Sequence, residues 1–338
     1  MRRAILPVLM AVVLAGCTGT DSHSVGADGG SARSSSTTSS TGSTTTTTPP
    51  APVAEVAAWK LPAALSRTAC AVSGGQVRCY SGLNAARTST PNILQIDPAA
   101  GTVALAGRLT TAVHDAAGTE FQGKALLLGG GAHESGSTAV LDVTGNPTRL
   151  GSLPQPRSDL SAAVSGGRLI VLGGYDDTNI TPGVLGSADG VTFTQIGTLA
   201  TPVRYGAVAE VDGTVYVFGG KTREGGADSQ TSDIQAVDAA TGKVTVVGHL
   251  PQPMGHMVAG VIGGSVYAMG GRSGTGTRLT DSAAVWRFDP ATGAVAQVGS
   301  LPAPLSDSTL AVVGDTAYLI GGERGGTPLS QVVTVRPG

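Results

Sequence analysis

Six polar residues stand at equivalent places in a sequence that repeats itself, each at the same distance before a two-residue turn. They are Arg67, Asp115, Asp159, Tyr205, His256 and Asp307. Three carboxylates with one guanidinium and one imidazole could bind a polar ligand or a cation, or transfer protons as general acids and bases. The alternative is that they are polar strand ends, since Asp at such places often caps a loop by accepting from nearby N–H groups.

The repeat that places these residues is a short apolar run followed by Gly-Gly. Its closing glycines are Gly82, Gly130, Gly174, Gly220, Gly271 and Gly322. The steps between them run from 44 residues (174 − 130) to 51 residues (322 − 271). A period of this length with strand-like units is typical of propeller blades. In every repeat a small-residue strand, a tight turn and the apolar strand come in that order, and a variable loop and two more strands follow. Four strands per repeat make one blade.

The Gly-Gly pairs, together with Tyr216, Tyr267 and Tyr318 inside the apolar strands, resemble the Kelch family. The resemblance covers residues 53–338 and implies an all-β, six-bladed β-propeller whose first strands line a central channel. The six polar residues would then form a ring at one mouth, above a row of small side chains. That row consists of Ala69, Ala117, Ser161, Ala207, Val258 and Thr309. Ser81 replaces the first glycine of the first pair, so that strand is expected to end differently.

The closure of the propeller follows from the two ends of the repeat region. The last repeat ends at its third strand, near residues 331–335, while residues 53–59 form an extended apolar segment ahead of the first repeat. We therefore predict that this N-terminal segment supplies the fourth strand of the last blade, which removes an open sheet edge.

Two of the three cysteines lie opposite each other in the first predicted hairpin. Counting outward from the Gly74-Gly75 turn, Cys70 faces Cys79 at a non-hydrogen-bonded pair, where side chains come closest. This position suits a disulfide. The alternative is a pair of reduced thiols packed as small hydrophobic groups.

The first 17 residues have the pattern of an export signal: two arginines, an apolar stretch and then Leu14-Ala15-Gly16-Cys17. This ending resembles the lipobox of bacterial lipoproteins, which implies lipidation at Cys17 and attachment to the outer face of the cell membrane. Residues 18–52 are rich in Ser and Thr and are interpreted as a disordered stalk, glycosylated or bare, because they offer little to bury.

Several functions are disfavoured by the residues. With a net charge of −2 and no basic patch, nucleic acid is not an expected partner. Galactose oxidase shares the Kelch propeller, but both propeller cysteines are already assigned to a hairpin and His114, His133, His249 and His256 are scattered, so no metal or other cofactor is expected. Residues 187–193 resemble a single Asp-box of sialidases, which is a turn motif; the arginine cluster of a sialidase is missing.

No catalytic residue is assigned from the sequence. The leading prediction is a monomeric, surface-anchored, non-enzymatic binding module, whose channel mouth and loops contact an unidentified polysaccharide, peptide or envelope protein. The alternative is a carbohydrate-active enzyme of the sialic acid mutarotase type, since some six-bladed Kelch proteins of the bacterial envelope are such enzymes. That alternative would use Arg67, Asp159, His256 and Asp307 at the mouth.

Overall fold

The computed structural model describes residues 50–132, 135–224, 226–276 and 278–338. Its regular secondary structure consists of 30 strands and no α-helix in these ranges. The strands form six four-stranded antiparallel sheets with short side hairpins, and consecutive sheets are neighbours around one axis. The predicted all-β, six-bladed propeller is therefore confirmed.

The first three blades follow the order of the chain. Blade 1 comprises β2 (Ala69–Ser73), β3 (Gln76–Tyr80), β4 (Asn92–Asp97) and β5 (Thr102–Arg108). Blade 2 comprises β6 (Ala117–Phe121), β7 (Lys124–Leu128), β9 (Ser135–Asp142) and β10 (Thr148–Arg157), with β8 (Gly131–Ala132) on β9. Blade 3 comprises β11 (Ser161–Ser165), β12 (Arg168–Leu172), β13 (Gly183–Ser187) and β14 (Thr194–Thr198).

The other three blades carry the side hairpins. Blade 4 comprises β15 (Ala207–Val211), β16 (Thr214–Phe218), β19 (Asp233–Asp238) and β20 (Val244–His249), with the hairpin β17 (Lys221–Glu224) and β18 (Ala227–Gln230). Blade 5 comprises β21 (Gly255–Ile262), β22 (Ser265–Thr275), β24 (Ala284–Phe288) and β25 (Val295–Ser300), with β23 (Arg278–Asp281) on β22. Blade 6 comprises β26 (Thr309–Val313), β27 (Thr316–Ile320) and β30 (Gln331–Arg336), with the short pair β28 (Glu323–Arg324) and β29 (Thr327–Pro328).

The N-terminal segment closes the ring as predicted. Strand β1 (Val53–Lys60) pairs antiparallel with β30, beginning with Val53 opposite Arg336, and becomes the outermost strand of blade 6. The first and last segments of the propeller are thus held in one sheet, so the ring is closed by backbone hydrogen bonds. The predicted hairpin disulfide is also present: Cys70 and Cys79 are paired across β2 and β3, with Cα atoms 4.1 Å apart.

The Gly-Gly pairs join each blade to the next. The second glycine donates its N–H to a carbonyl in the segment that leads into the following blade at 2.7–2.9 Å, six times around the ring, for example from Gly220 to Met254. In blade 1 the first glycine is replaced by Ser81, which takes the same left-handed backbone at φ 60°. Its hydroxyl donates to the carbonyl of Val113 and accepts from the Val113 N–H, so the side chain makes additional bonds to the next blade.

We predict that Gly219, the first glycine of the pair in blade 4, does not tolerate replacement by alanine. A Cβ added to Gly219 (φ +54°) would lie 2.2 Å from the carbonyl oxygen of Met254, whereas one added to Gly213 (φ +85°) would meet nothing within 4 Å. Both alanine variants bear the left-handed backbone penalty of about 1–2 kcal/mol. Gly219→Ala should lose about 1–3 kcal/mol more through overpacking. Thermal melts of the two variants test this, and equal losses would contradict it.

Candidate functional site

The six polar residues predicted at one channel mouth form a continuous ring around the propeller axis. Each donates its backbone N–H to the carbonyl of its counterpart in the preceding blade at 2.8–3.1 Å, and the bond from Arg67 to Asp307 completes the circle. All six have φ between 52° and 58°. Six non-glycine residues in the left-handed region store strain, which recurs at functional sites. Here the strained backbone turns six side chains toward one another.

The side chains cross the axis. Arg67 belongs to blade 1 and Tyr205 to blade 4, which lie on opposite sides of a six-bladed ring. The Arg67 guanidinium nevertheless donates from Nη1 to the Tyr205 hydroxyl at 3.1 Å and to Asp115 Oδ2 at 3.2 Å. The Tyr205 hydroxyl donates to the same Asp115 oxygen at 3.3 Å. The ring is therefore a connected polar layer across the channel.

A cavity of about 490 Å³ runs along the axis from this layer, bordered by all six ring residues. Its walls are the innermost strands β2, β6, β11, β15, β21 and β26, and Glu210 and Val312 lie along its length. The predicted row of small side chains lines it, from Ala69 to Thr309. The volume falls within the range of small-molecule sites, roughly 300–1,000 Å³. We call this space the axial cavity.

His256 and Asp307 form a buried pair in the ring. The Nδ1 atom of His256 lies 2.7 Å from Asp307 Oδ1, and both side chains are at least nine-tenths buried. Because a carboxylate only accepts, Nδ1 carries the hydrogen, and Nε2 is left as the nitrogen that can accept a proton. The Tyr205 ring stacks on the imidazole with centroids 4.0 Å apart, which fixes its plane.

Three charged residues outside the predicted set complete the site. Arg204 bonds to Asp159 at 3.0 Å. Arg272 lies 2.8 Å from Asp307 Oδ2, and the fully buried Glu323 accepts from Arg67 Nε at 3.1 Å. A sequence signal exists for all three: Arg204 directly precedes a ring residue, while Arg272 and Glu323 directly follow a Gly-Gly pair.

The surroundings drive the pKa values of two ring carboxyls in opposite directions. Burial and the neighbouring charge of Asp159 raise the pKa of Asp115 well above its usual range, despite Arg67. Burial alone would also raise the pKa of Asp307, but His256, Arg67 and Arg272 outweigh it and hold that pKa below its usual range. When two carboxyl groups in one site have pKa values shifted in opposite directions, the one with the raised pKa is suited to act as an acid and the other stays charged.

His114 lies at the edge of the ring. Its Nδ1 is 2.9 Å from the Ser89 hydroxyl and its Nε2 is 3.8 Å from Asp115 Oδ2. Burial and the positive charge of Arg67 lower the pKa of His114, which keeps its imidazole neutral. Across the described ranges, no group of three or more His, Cys, Asp or Glu residues is arranged to hold a metal ion.

Comparison with known proteins agrees with the fold. A family model for the Kelch motif matches residues 253–302, which hold β21, β22, β24 and β25 of blade 5. The chain is a six-bladed β-propeller with a Kelch motif in blade 5. Among solved structures it is similar to YjhT, with a TM-score of 0.68 and 15% identity over 82% of this chain and 99% of that one. At this identity the likeness shows the fold.

The comparison with YjhT corrects the leading functional prediction. It fits the alternative, a propeller enzyme of the mutarotase type, better than a non-enzymatic binding module. The binding-module prediction relied on the variable loops and treated the ring as a recognition surface. It did not anticipate a buried acid–base arrangement inside the axis.

The predictions for the leader fall largely outside the described residues. Cys17 and nearly all of the stalk precede Pro50, where the described residues begin. Among the described residues, none forms a helix that is long and apolar enough to cross a bilayer. The lipid anchor at Cys17 and the location at the cell membrane stay predictions.

Proposed function

We propose that this Kelch-type propeller is a carbohydrate-active enzyme of the mutarotase type, which exchanges the anomers of a reducing sugar in the axial cavity. The observation that carries the proposal is the geometry of the ring: the His256 imidazole, bonded to Asp307 at 2.7 Å, and the Asp115 carboxyl border the same axial cavity. Arg67 contacts both carboxyls, at 3.2 Å and 3.5 Å. One ring therefore holds a carboxyl group whose pKa is raised and an imidazole that is fixed by a second carboxylate.

Anomer exchange requires two proton transfers that these groups can make. A base removes the proton of the anomeric hydroxyl while an acid protonates the ring oxygen, and the bond between the anomeric carbon and the ring oxygen breaks. The open-chain carbonyl then rotates, and the reverse transfers close the ring on its other face. No covalent intermediate or cofactor is needed.

In the proposed reaction each of these side chains would have one role. Asp115, protonated because its pKa is raised, would give its proton to the ring oxygen. His256 would take the hydroxyl proton at Nε2, because its Nδ1 is bonded to Asp307. Arg67 and Tyr205 donate to Asp115 Oδ2 and so hold the acid in place. A positioned acid or base of this kind contributes about 100- to 10,000-fold to the rate.

The test is anomer exchange followed by NMR saturation transfer on a panel of reducing sugars, with His256→Asn and His249→Asn compared with the unaltered chain. His249 is 63% exposed on the outer strand β20 and serves as the matched control. We expect exchange above the buffer rate, a loss of at least about 100-fold in His256→Asn and none in His249→Asn. Exchange at the buffer rate for every sugar would refute the function.

A further inference from the structure

The arginine at the centre of the ring is enclosed by carboxyl groups. Nη1 of Arg67 lies 3.2 Å from Asp115, and Nε lies 3.1 Å from Glu323 and 3.5 Å from Asp307. Only 14% of the Arg67 side chain is exposed. Its positive charge is therefore already matched inside the protein.

The second arginine beside Asp307 is matched by the same groups. Arg272 Nη2 lies 2.8 Å from Asp307 and 3.2 Å from Glu323. Arg67, Asp307, Arg272 and Glu323 thus form a square of alternating charge. Arg87, 3.6 Å from Glu323, and Asp281, 3.1 Å from Arg272, add one charge of each sign at its edge. Glu323 has no exposed surface, and the nitrogens that it contacts, Arg67 Nε and Arg272 Nη2, are the same ones that contact Asp307.

The ring carries no surplus of positive charge when its guanidinium and carboxyl groups are counted together with those that directly contact them. Arg67, Arg204 and Arg272 contribute three positive charges, and Asp159, Asp307 and Glu323 contribute three negative ones. Asp115 adds nothing when protonated and one negative charge when ionised. A substrate carboxylate would have to break a buried ion pair or stay uncompensated, and either costs several kcal/mol.

A neutral sugar meets no such penalty. Its hydroxyl groups can donate to Asp159 and can accept from Arg67 without the burial of a new charge. We infer that the axial site takes a neutral reducing sugar and excludes sugar acids, and that Glu323 is a specificity-determining residue because it neutralises Arg67 and Arg272. This inference rests on the proposed function for the identity of the reaction.

The test uses pairs of sugars that differ only in a carboxylate: galactose with galacturonic acid, and glucose with glucuronic acid. Binding by calorimetry and anomer exchange by NMR are measured for each pair on the full chain. We expect the neutral member to bind and to exchange at least about 10-fold better. N-acetylneuraminic acid, also a carboxylate, should behave as the uronic acids do.

Glu323→Gln tests the assignment to one residue. It removes one negative charge from the square and is expected to reduce the preference for the neutral member at least about 10-fold. Glu55→Gln makes the same charge change on the outer strand β1, where Glu55 is 63% exposed, and should leave the preference unchanged. If Glu323→Gln does not fold, the paired sugars on the unaltered chain still decide the substrate class.

The outcomes separate the two proposals. Preference for the acid member, or binding of neither member in any pair, overturns the inference. Binding of neutral sugars without anomer exchange supports the substrate class while the proposed reaction fails. An unchanged preference in Glu323→Gln overturns the role of Glu323.

Discussion

Asp115→Asn should reduce anomer exchange by about 100- to 10,000-fold while leaving the propeller as stable as before at neutral pH, or more stable. Asn keeps the shape and the oxygen that accepts from Arg67 and Tyr205, but it has no proton to give. The loss should appear in kcat, with KM little changed, because hydrogen bonding to the ground state is preserved.

The stability expectation follows from the sign of the pKa shift. The folded pKa of Asp115 lies above its unfolded value, so the folded state binds more protons between the two. Stability is then lost as pH rises from the unfolded pKa, about 3.9, toward the raised folded pKa. Asn cannot ionise and escapes this loss. Urea unfolding of both proteins across this pH range measures the difference, and a variant that becomes less stable as pH rises would contradict the assignment.

Under the proposed function, the pH dependence of anomer exchange by the unaltered protein should follow the titration of Asp115. Exchange should decline as pH rises through the raised pKa of Asp115, because the acid loses its proton. In Asp115→Asn the residual activity should lack this alkaline limb. A limb that persists unchanged in the variant would assign the titration to another group.

Asp307→Asn should cost about 3–5 kcal/mol in the free energy of unfolding, the largest loss that we expect from a single polar substitution. The carboxylate lies between Arg67 and Arg272 and also accepts from His256. Its side chain is 1% exposed. Removing one charge leaves two buried guanidinium groups with Glu323 as their remaining shared partner.

The pH dependence of this loss has a definite sign. The folded pKa of Asp307 is held below its unfolded value, so the folded state binds fewer protons between the two. The stabilisation is present above about pH 4 and is lost as pH falls below it. The difference between the unaltered protein and Asp307→Asn should therefore shrink on acidification, which urea unfolding at pH 7 and pH 3 would show.

Asp97→Asn supplies the control. Asp97 is a partly exposed residue at the end of β4 whose Oδ1 accepts from the N–H groups of Ala99 and Ala100, and Asn can do the same. Its substitution should change the unfolding free energy by less than about 0.5 kcal/mol. A comparable effect in both variants would show that the charge square has no special contribution to stability.

The blades, the closure, the pairing of Cys70 opposite Cys79 and the six ring positions were predictable from the residues alone. These depend on local information: a two-residue turn fixes the register of its hairpin, so Cys70 must face Cys79 and each ring residue must stand at the same distance from its turn. The repeat then copies that register around the circle. It also predicted that the strand at residues 53–59 would join the last blade, because only one blade lacked a fourth strand.

The contacts made by the ring residues depend on how the blades face one another. Arg67 and Tyr205 are separated by 138 residues and touch because blades 1 and 4 face each other across the axis. Glu323 reaches Arg67 from a separation of 256 residues. The pKa values of Asp115 and Asp307 diverge because each carboxyl meets a different set of charges from several blades. The spacing of residues within one repeat does not encode contacts between different blades. The ring positions were therefore predictable from the sequence, while the contacts and charges around them were not.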